Sequence, residues 1–132
     1  MQQTELTSQI TFLYFEDMQL AEDFFGTLLG LEKNCDFGWA KTWRIGKSAF
    51  IGAVDSAQST LRSASKDGVL VSFVTDRLEE LHHRVSSHYT ATPIEEVRGL
   101  GFRSFFFTGP HGYSFEIQQF DSLNLRSAFA VQ

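Results

Sequence analysis

The sequence has little of what would suggest a cross-linked, membrane-bound or nucleic-acid-binding protein. It contains one cysteine and two prolines among 132 residues. A lone thiol, Cys35, cannot close an intrachain disulfide, so we interpret it as a strand residue and expect a cytoplasmic location. No basic run occurs and the formal net charge is −5, which argues against nucleic acid and membrane surfaces as partners. We also expect neither a signal peptide nor a membrane span, because no apolar stretch is long enough.

Phenylalanine is what the sequence has in abundance. The apolar content is 42%, enough for one packed core, and 14 residues are phenylalanine. One small core does not need so many aromatic side chains. The surplus predicts an aromatic-lined cavity or a subunit interface.

Hydrophobic periodicity predicts a βαβββ order in the first part of the chain. A β-branched and aromatic strand is followed by Asp17, a candidate helix N-cap, and by apolar residues at helical spacing up to Gly30. Three short strands follow, at 31–36, 39–45 and 48–54.

The same order returns after a Ser- and Ala-rich connector. A strand at 69–75 leads to Asp76 and Glu79, which have the spacing of a helix capping box. Three more strands are predicted at 91–97, 102–108 and 113–120, separated by glycine-rich turns.

The two parts match in register, as an internal repeat should. Gly46 and Phe50 align with Gly112 and Glu116, and the changes of offset fall in loops. The sequence therefore predicts one domain over 9–120, with a first half at 9–54, a linker at 55–67 and a second half at 68–120. A C-terminal tail of undetermined structure occupies 121–132.

The second half carries the most specific motif. Its segment Gly101-Phe-Arg-Ser-Phe-Phe-Phe-Thr-Gly-Pro-His-Gly-Tyr-Ser-Phe-Glu-Ile117 resembles the closing hairpin of the glyoxalase/bleomycin-resistance/dioxygenase, or vicinal-oxygen-chelate, superfamily. The helix ending in Leu-Gly-Leu31 is similar to that superfamily's first helix. The resemblance implies an α+β fold in which two βαβββ repeats form a curved mixed sheet with helices on the outside.

The resemblance also implies where a metal would bind in the superfamily's enzymes. Those positions correspond here to Ile10, Phe50, Val69 and Glu116, and only Glu116 is a metal ligand. A one-residue slip of the first strand would add Gln9, which still gives two ligands. We therefore predict no metal and no cofactor. The four histidines are interpreted as solvated surface residues.

Strand parity divides the sheet residues into a face under the helices and a face open to a ligand. The covered set is predicted to contain Leu13, Phe15, Ala49, Ile51, Leu70, Val74, Phe115 and Ile117. The open, mixed set is predicted to contain Phe12, Tyr14, Phe73, Ser114, Glu116 and Gln118, with Phe50 at a cup-facing position. An aromatic wall for a planar ligand is predicted from Trp39 and Trp43 with Phe102 and Phe106; a place in the core or a dimer interface is the alternative.

Three functions are compatible with these residues. The first is a metal-independent protein that sequesters a small apolar or aromatic molecule, as the resemblance to bleomycin-resistance proteins implies. The second is a metal-dependent lyase, isomerase or ring-cleaving dioxygenase that uses Glu116. The third is a metal-free enzyme in which burial in an apolar cup raises the pKa of Glu116, which then serves as a general base. Arg103 is interpreted as a brace of the hairpin, and the aromatic surplus and apolar tail predict a homodimer.

Overall fold

The computed structural model describes residues 8–58, 69–97, 99–129 and 131. The chain divides into two compact units, Met1–Ala64 and Ser65–Gln132, and each unit contains a four-stranded mixed sheet. The predicted βαβββ order is confirmed in both units. Most of the predicted linker and residue 98 of the second glycine-rich turn lie outside the described residues, and the single domain over 9–120 stays a prediction.

The first unit contains five elements. They are β1 (Gln9–Phe15), α1 (Met18–Ala21) with a π-helical continuation (Glu22–Leu28), β2 (Glu32–Asp36), β3 (Ala40–Ile45) and β4 (Ala49–Asp55). The strand order is β1-β4-β3-β2, with β1 parallel to β4 and the other pairs antiparallel.

The first helix begins and ends as predicted but is wider than an α-helix in its second part. The Asp17 carboxylate accepts a hydrogen bond from the Gln19 backbone N–H at 2.9 Å, and Gly30 has a left-handed φ of 69°. Between them, the Leu29 N–H donates to the carbonyl of Phe24, five residues back. Phe24 and Phe25, although consecutive, are both buried.

The second unit repeats the arrangement and adds the tail. Its elements are β5 (Leu70–Val74), α2 (Leu78–Ser86), β6 (Glu95–Val97), β7 (Phe102–Thr108), a 3₁₀ turn (Pro110–Gly112), β8 (Ser114–Phe120) and α3 (Leu123–Ala128). The order is β5-β8-β7-β6, with β5 parallel to β8. The strand predicted at 91–97 is shorter because Pro93 has no N–H to donate to a ladder; Ala91 forms only a single bridge, with Phe107.

The predicted capping box of the second helix is wrong. The helix begins at Leu78, one residue later than an Asp76 cap requires. The Asp76 carboxylate instead accepts a hydrogen bond from Arg126 of α3 at 2.8 Å. Glu79 accepts one from Arg103 at 2.6 Å. Long-range partners therefore take both carboxylates away from the helix start.

The tail belongs to the second unit. Ser122 caps α3 by accepting a hydrogen bond from the Leu125 N–H at 3.1 Å. The ring of Phe129 stacks on Phe120 with 5.0 Å between centroids. No helix in the described parts of the chain is both long and apolar enough to cross a membrane.

Candidate ligand-binding site

Each sheet has one face covered by its helix and one face that the helix leaves open. Residues paired across neighbouring strands point to the same side, so the strand register assigns every residue to a face. In the second sheet, Phe105 pairs with Ile117 and both are fully buried, which marks the covered face. Phe106 pairs with Glu116 on the opposite side. That side is called the open face here.

Polar side chains occupy the middle of this open face. Glu116 pairs with Ser72 of β5, and the Gln118 amide donates to the Ser72 hydroxyl at 2.6 Å and to the Glu116 carboxylate at 3.3 Å. Glu116 is half-buried. Its surroundings are therefore polar on one side and aromatic on the other, which differs from the apolar cup on which the general-base hypothesis depends.

Ser104 lies beside this network on β7. It pairs with Gln118 on one side and with Glu95 of β6 on the other, so all three residues are on the open face. Ser104 is only 4% exposed. Its hydroxyl forms no hydrogen bond within the described part of the chain, although every fully buried polar side-chain atom there has a partner. The hydroxyl must therefore have some access to the cavity that the residue lines.

A cavity of about 440 Å³ lies over these residues, lined by Thr92, Pro93, Glu95, Glu96, Phe102, Ser104, Phe106 and Glu116. Its volume is in the range of small-molecule sites. A second hollow, of about 500 Å³, adjoins it at Thr92 and Phe106 and extends towards Leu70 and Ser114. The Thr92 hydroxyl accepts the Phe106 N–H at 2.9 Å and fixes the rim between the two.

The cavity brings together four of the predicted site residues. Three of them line it, namely Phe102, Phe106 and Glu116, and the amide of the fourth, Gln118, donates a hydrogen bond to Glu116. Phe73 is not among these residues, and its predicted place on the open face is wrong. Its ring stacks on Phe115 of the covered face with 6.0 Å between centroids. The predicted covered residues Leu70 and Val74 are more than 40% exposed on the open face instead.

Trp43 does not take its predicted place in an aromatic wall. Trp43 is 1% exposed and packs on Phe25 of the helix with 5.1 Å between ring centroids, so the core alternative is correct for it. Its cross-strand partner Ile51 is equally buried. Trp39 precedes β3 and is 49% exposed. Trp43 therefore cannot share an exposed surface with Trp39.

The remaining predicted residues, Phe12, Tyr14 and Phe50, lie on the open face of the first sheet. Phe12 is 44% exposed. A Cβ added to Gly52 would lie 2.5 Å from the Phe12 ring. The Arg44 guanidinium lies 5.0 Å from the centre of the Phe50 ring. This face is largely aromatic, and its register also includes Glu32 of β2, whose carboxylate lies 3.8 Å from the Arg44 guanidinium.

Within each unit, the described residues do not fit a metal centre. In the first sheet the ligand positions are the paired Ile10 and Phe50. In the second sheet the partner of Glu116 is Ser72, not the predicted Val69. Among the described residues, no group of three histidine, cysteine, aspartate or glutamate side chains could hold a metal ion. A protein-bound zinc or similar ion needs at least three such donors.

Two further candidates have structural roles. Gln9 lies on the covered-face register of Leu13 and donates to Thr11 at 2.6 Å. His82 is not the solvated residue predicted, since its Nε2 lies 2.9 Å from the Thr92 carbonyl and its ring meets Phe105 edge-on at 4.7 Å.

Arg103 braces the second unit from the covered side. Its guanidinium binds Asp121 at 2.9 Å and Glu79 at 2.6 Å. Hydrogen bonds to these carboxylates, Asp121 first, raise the pKa of Arg103. The backbone N–H of Glu79 and then Arg103 lower the pKa of Glu79.

Comparison with known proteins gives the fold. No protein-family model and no curated protein matches the sequence. A lactoylglutathione lyase from Agrobacterium tumefaciens superposes with a TM-score of 0.70 at 19% identity, over 89% of this chain and 95% of that one. The fosfomycin resistance protein FosX from Mesorhizobium loti has a TM-score of 0.67 at 16% identity, over 95% and 99% of the two chains.

A glyoxalase/bleomycin resistance protein/dioxygenase from Nocardioides is also similar, with a TM-score of 0.66 at 14% identity over 90% of this chain and 86% of that one. The protein therefore has the fold of these glyoxalase/bleomycin-resistance/dioxygenase proteins. The resemblance predicted from the closing hairpin and the first helix is confirmed at the level of the fold.

Proposed function

We propose that the protein binds a small apolar or aromatic molecule without a metal ion. The observation that carries the proposal is the composition of the open face of the second sheet. There Glu116 has Phe106 and Ser72 as cross-strand neighbours, in a cavity of about 440 Å³ with two phenylalanine side chains in its wall. Such a surface offers apolar area and a few fixed polar groups, as small-molecule sites do.

The proposal is tested by metal content and by ligand-induced stabilisation. Protein purified without chelators is analysed for zinc, nickel, iron and manganese, and its melting temperature is measured with and without EDTA. A library of aromatic antibiotics and metabolites is then screened for a rise in melting temperature, since a ligand that binds only the folded state stabilises it. We expect substoichiometric metal, no effect of EDTA, and hits that keep their effect in EDTA. Stoichiometric metal whose removal abolishes the hits would support the metal-dependent lyase, isomerase or dioxygenase instead.

Glu116 also allows the metal-free enzyme as a second candidate, because its carboxylate faces the cavity and has Gln118 to orient it. The Glu116→Gln variant separates the two. A general base lost in this way would abolish turnover of a hit compound while leaving its affinity nearly intact. Absence of turnover in the parent protein favours binding alone.

A homodimer in the cytoplasm remains part of the proposal. Ile10, Phe12 and Phe106 are each more than 40% exposed, which is compatible with a subunit interface. Sedimentation at micromolar concentration tests the association, and a species of monomer mass that persists on concentration would exclude the dimer.

A further inference from the structure

We infer that the ligand of the second unit's cavity carries a protonated amine at the end that meets Ser104 and Glu116, and an uncharged aromatic or apolar body beyond it. The inference rests on the proposed function and specifies its ligand class. It starts from three side chains on the open face, Glu95, Ser104 and Glu116, whose polar atoms have no cationic partner in the part of the chain that the structure describes.

Two carboxylates flank the cavity without a counter-ion among the described side chains. Glu116 accepts one hydrogen bond, from the neutral amide of Gln118, and Glu95 stands on the other side of Ser104 in the next strand. Neither carboxylate forms a salt bridge within the described residues, whereas six other acidic side chains do so in the same structure with nitrogen–oxygen distances of 3.4 Å or less. Glu96 is also among the residues at the cavity. It pairs with Arg103, however, so the strand register assigns it to the covered face and not to the open face.

Ser104 is the second, independent observation. It is more than nine-tenths buried, lines the cavity, and has a hydroxyl without a hydrogen-bond partner among the described residues. Because it reaches the cavity, this hydroxyl is available to a ligand group that enters there. The hydroxyl oxygen can accept a hydrogen bond from an ammonium group that the carboxylates attract.

The charges of the residues that line the cavity favour a positively charged ligand. The described lining residues of both hollows include no lysine or arginine. The formal net charge of −5 adds a long-range attraction for cations. An anionic ligand would meet uncompensated carboxylates, and a neutral one would leave them without a counter-ion.

The shape of the surface places the uncharged part of the ligand. Phe102 and Phe106 lie on either side of Ser104 along β7, and Phe106 is 43% exposed. Beyond Phe106, the adjoining hollow runs towards Leu70 and Ser114 and has no charged residue in its described lining. An aromatic ring extending from the ammonium group would therefore lie over Phe106.

Three indoles of similar shape test the sign of the charge: tryptamine, its alcohol tryptophol, and indole-3-acetate. Binding is measured on the full chain by titration calorimetry and by NMR shifts in the β7 and β8 amides. We expect tryptamine to bind at least tenfold more tightly than tryptophol, because hydrogen bonds to charged groups are worth about 1.5–3 kcal/mol. We expect indole-3-acetate to bind least, and high salt to weaken tryptamine binding.

Matched variants locate the interaction. Glu116→Gln should weaken tryptamine binding about tenfold or more and leave tryptophol nearly unchanged, and Ser104→Ala should weaken tryptamine about threefold to tenfold. Glu80→Gln makes the same change of charge on α2, where the Glu80 carboxylate lies 3.4 Å from the Arg77 guanidinium, and should have no effect. Circular dichroism and melting temperature establish that each variant is folded; if Ser104→Ala is not, the Glu116→Gln result decides.

The outcomes separate this inference from the proposed function. Equal binding of tryptamine and tryptophol, with shifts at β7 and β8, would overturn the cationic ligand and leave small-molecule binding in place. Equal losses in the Glu116 and Glu80 variants would reduce the effect to net charge and overturn the site. If no indole binds at millimolar concentration, the amine inference fails, while the library screen still decides the proposed function.

Discussion

The two tryptophans give the sharpest test of the face assignment in the first sheet. Trp43 is 1% exposed and packed against Phe25, whereas Trp39 is 49% exposed at the start of β3. A buried tryptophan removes about 150–250 Å² from water, which corresponds to roughly 4–6 kcal/mol at about 25 cal/mol per Å². Trp43→Ala should therefore lower the free energy of unfolding by about 3–5 kcal/mol, a large share of the stability of a small domain. Trp39→Ala should lower it by about 1–2 kcal/mol.

Urea unfolding followed by circular dichroism measures both changes as shifts of the midpoint at constant slope. If Trp43→Ala does not fold, Trp43→Phe replaces it, with an expected loss of about 1–2 kcal/mol against almost none for Trp39→Phe. Equal losses at the two positions, or a larger loss at Trp39, would contradict the assignment of Trp43 to the covered face. Such a result would make Trp43 a candidate ligand-binding residue again.

Three further outcomes are expected. Gly52→Ala should destabilise the protein by about 1–3 kcal/mol in urea unfolding, because its Cβ would lie 2.5 Å from the Phe12 ring. Gly26→Ala should stabilise it by about 0.5–1 kcal/mol in the same assay, since its nearest contact would be an ordinary 3.5 Å; changes of the same sign would refute this comparison. The Arg126 hydrogen bond holds the pKa of Asp76 in the folded protein below its ordinary 3.8. The contribution of this ion pair to the free energy of unfolding is therefore complete above pH 3.8 and is lost as the pH falls through the pKa of the folded state. The difference in urea midpoint between wild type and Arg126→Gln should therefore shrink in acid, and a difference that grows there would show the reverse linkage.

Much of the fold could be predicted because local signals agree with one another. The β7 strand has the predicted bounds 102–108, and Asp17 and Gly30 mark the ends of the first helix as their chemistry requires. The predicted Asp76 cap is wrong because a long-range contact overrides the local signal. Its partner, Arg126, is 50 residues away in sequence, and no local pattern reports that contact.

The candidate site was predicted only where strand parity was unambiguous. Glu116 and Phe106 alternate with buried neighbours, and the structure places both on the open face. In β5 the residues on both faces are apolar except Ser72, so hydrophobicity could not tell Phe73 from its neighbours. Ser104 carried no sequence signal at all, because a single serine in an aromatic strand becomes notable only when its burial is known.

The unlike open faces of the two halves bear on how many ligands one chain can hold. A duplicated fold with equivalent halves would offer two similar sites. Here the first half presents Ile10, Phe12 and Phe50 on its open face, and its carboxylate Glu32 lies 3.8 Å from Arg44. In the second half, Glu116 has no salt bridge to a described residue and lies in the same cavity as Ser104. The repeat is therefore symmetric in its backbone and asymmetric in its chemistry. Saturation of a charged ligand should accordingly occur at a stoichiometry of about one per chain, with a single class of sites.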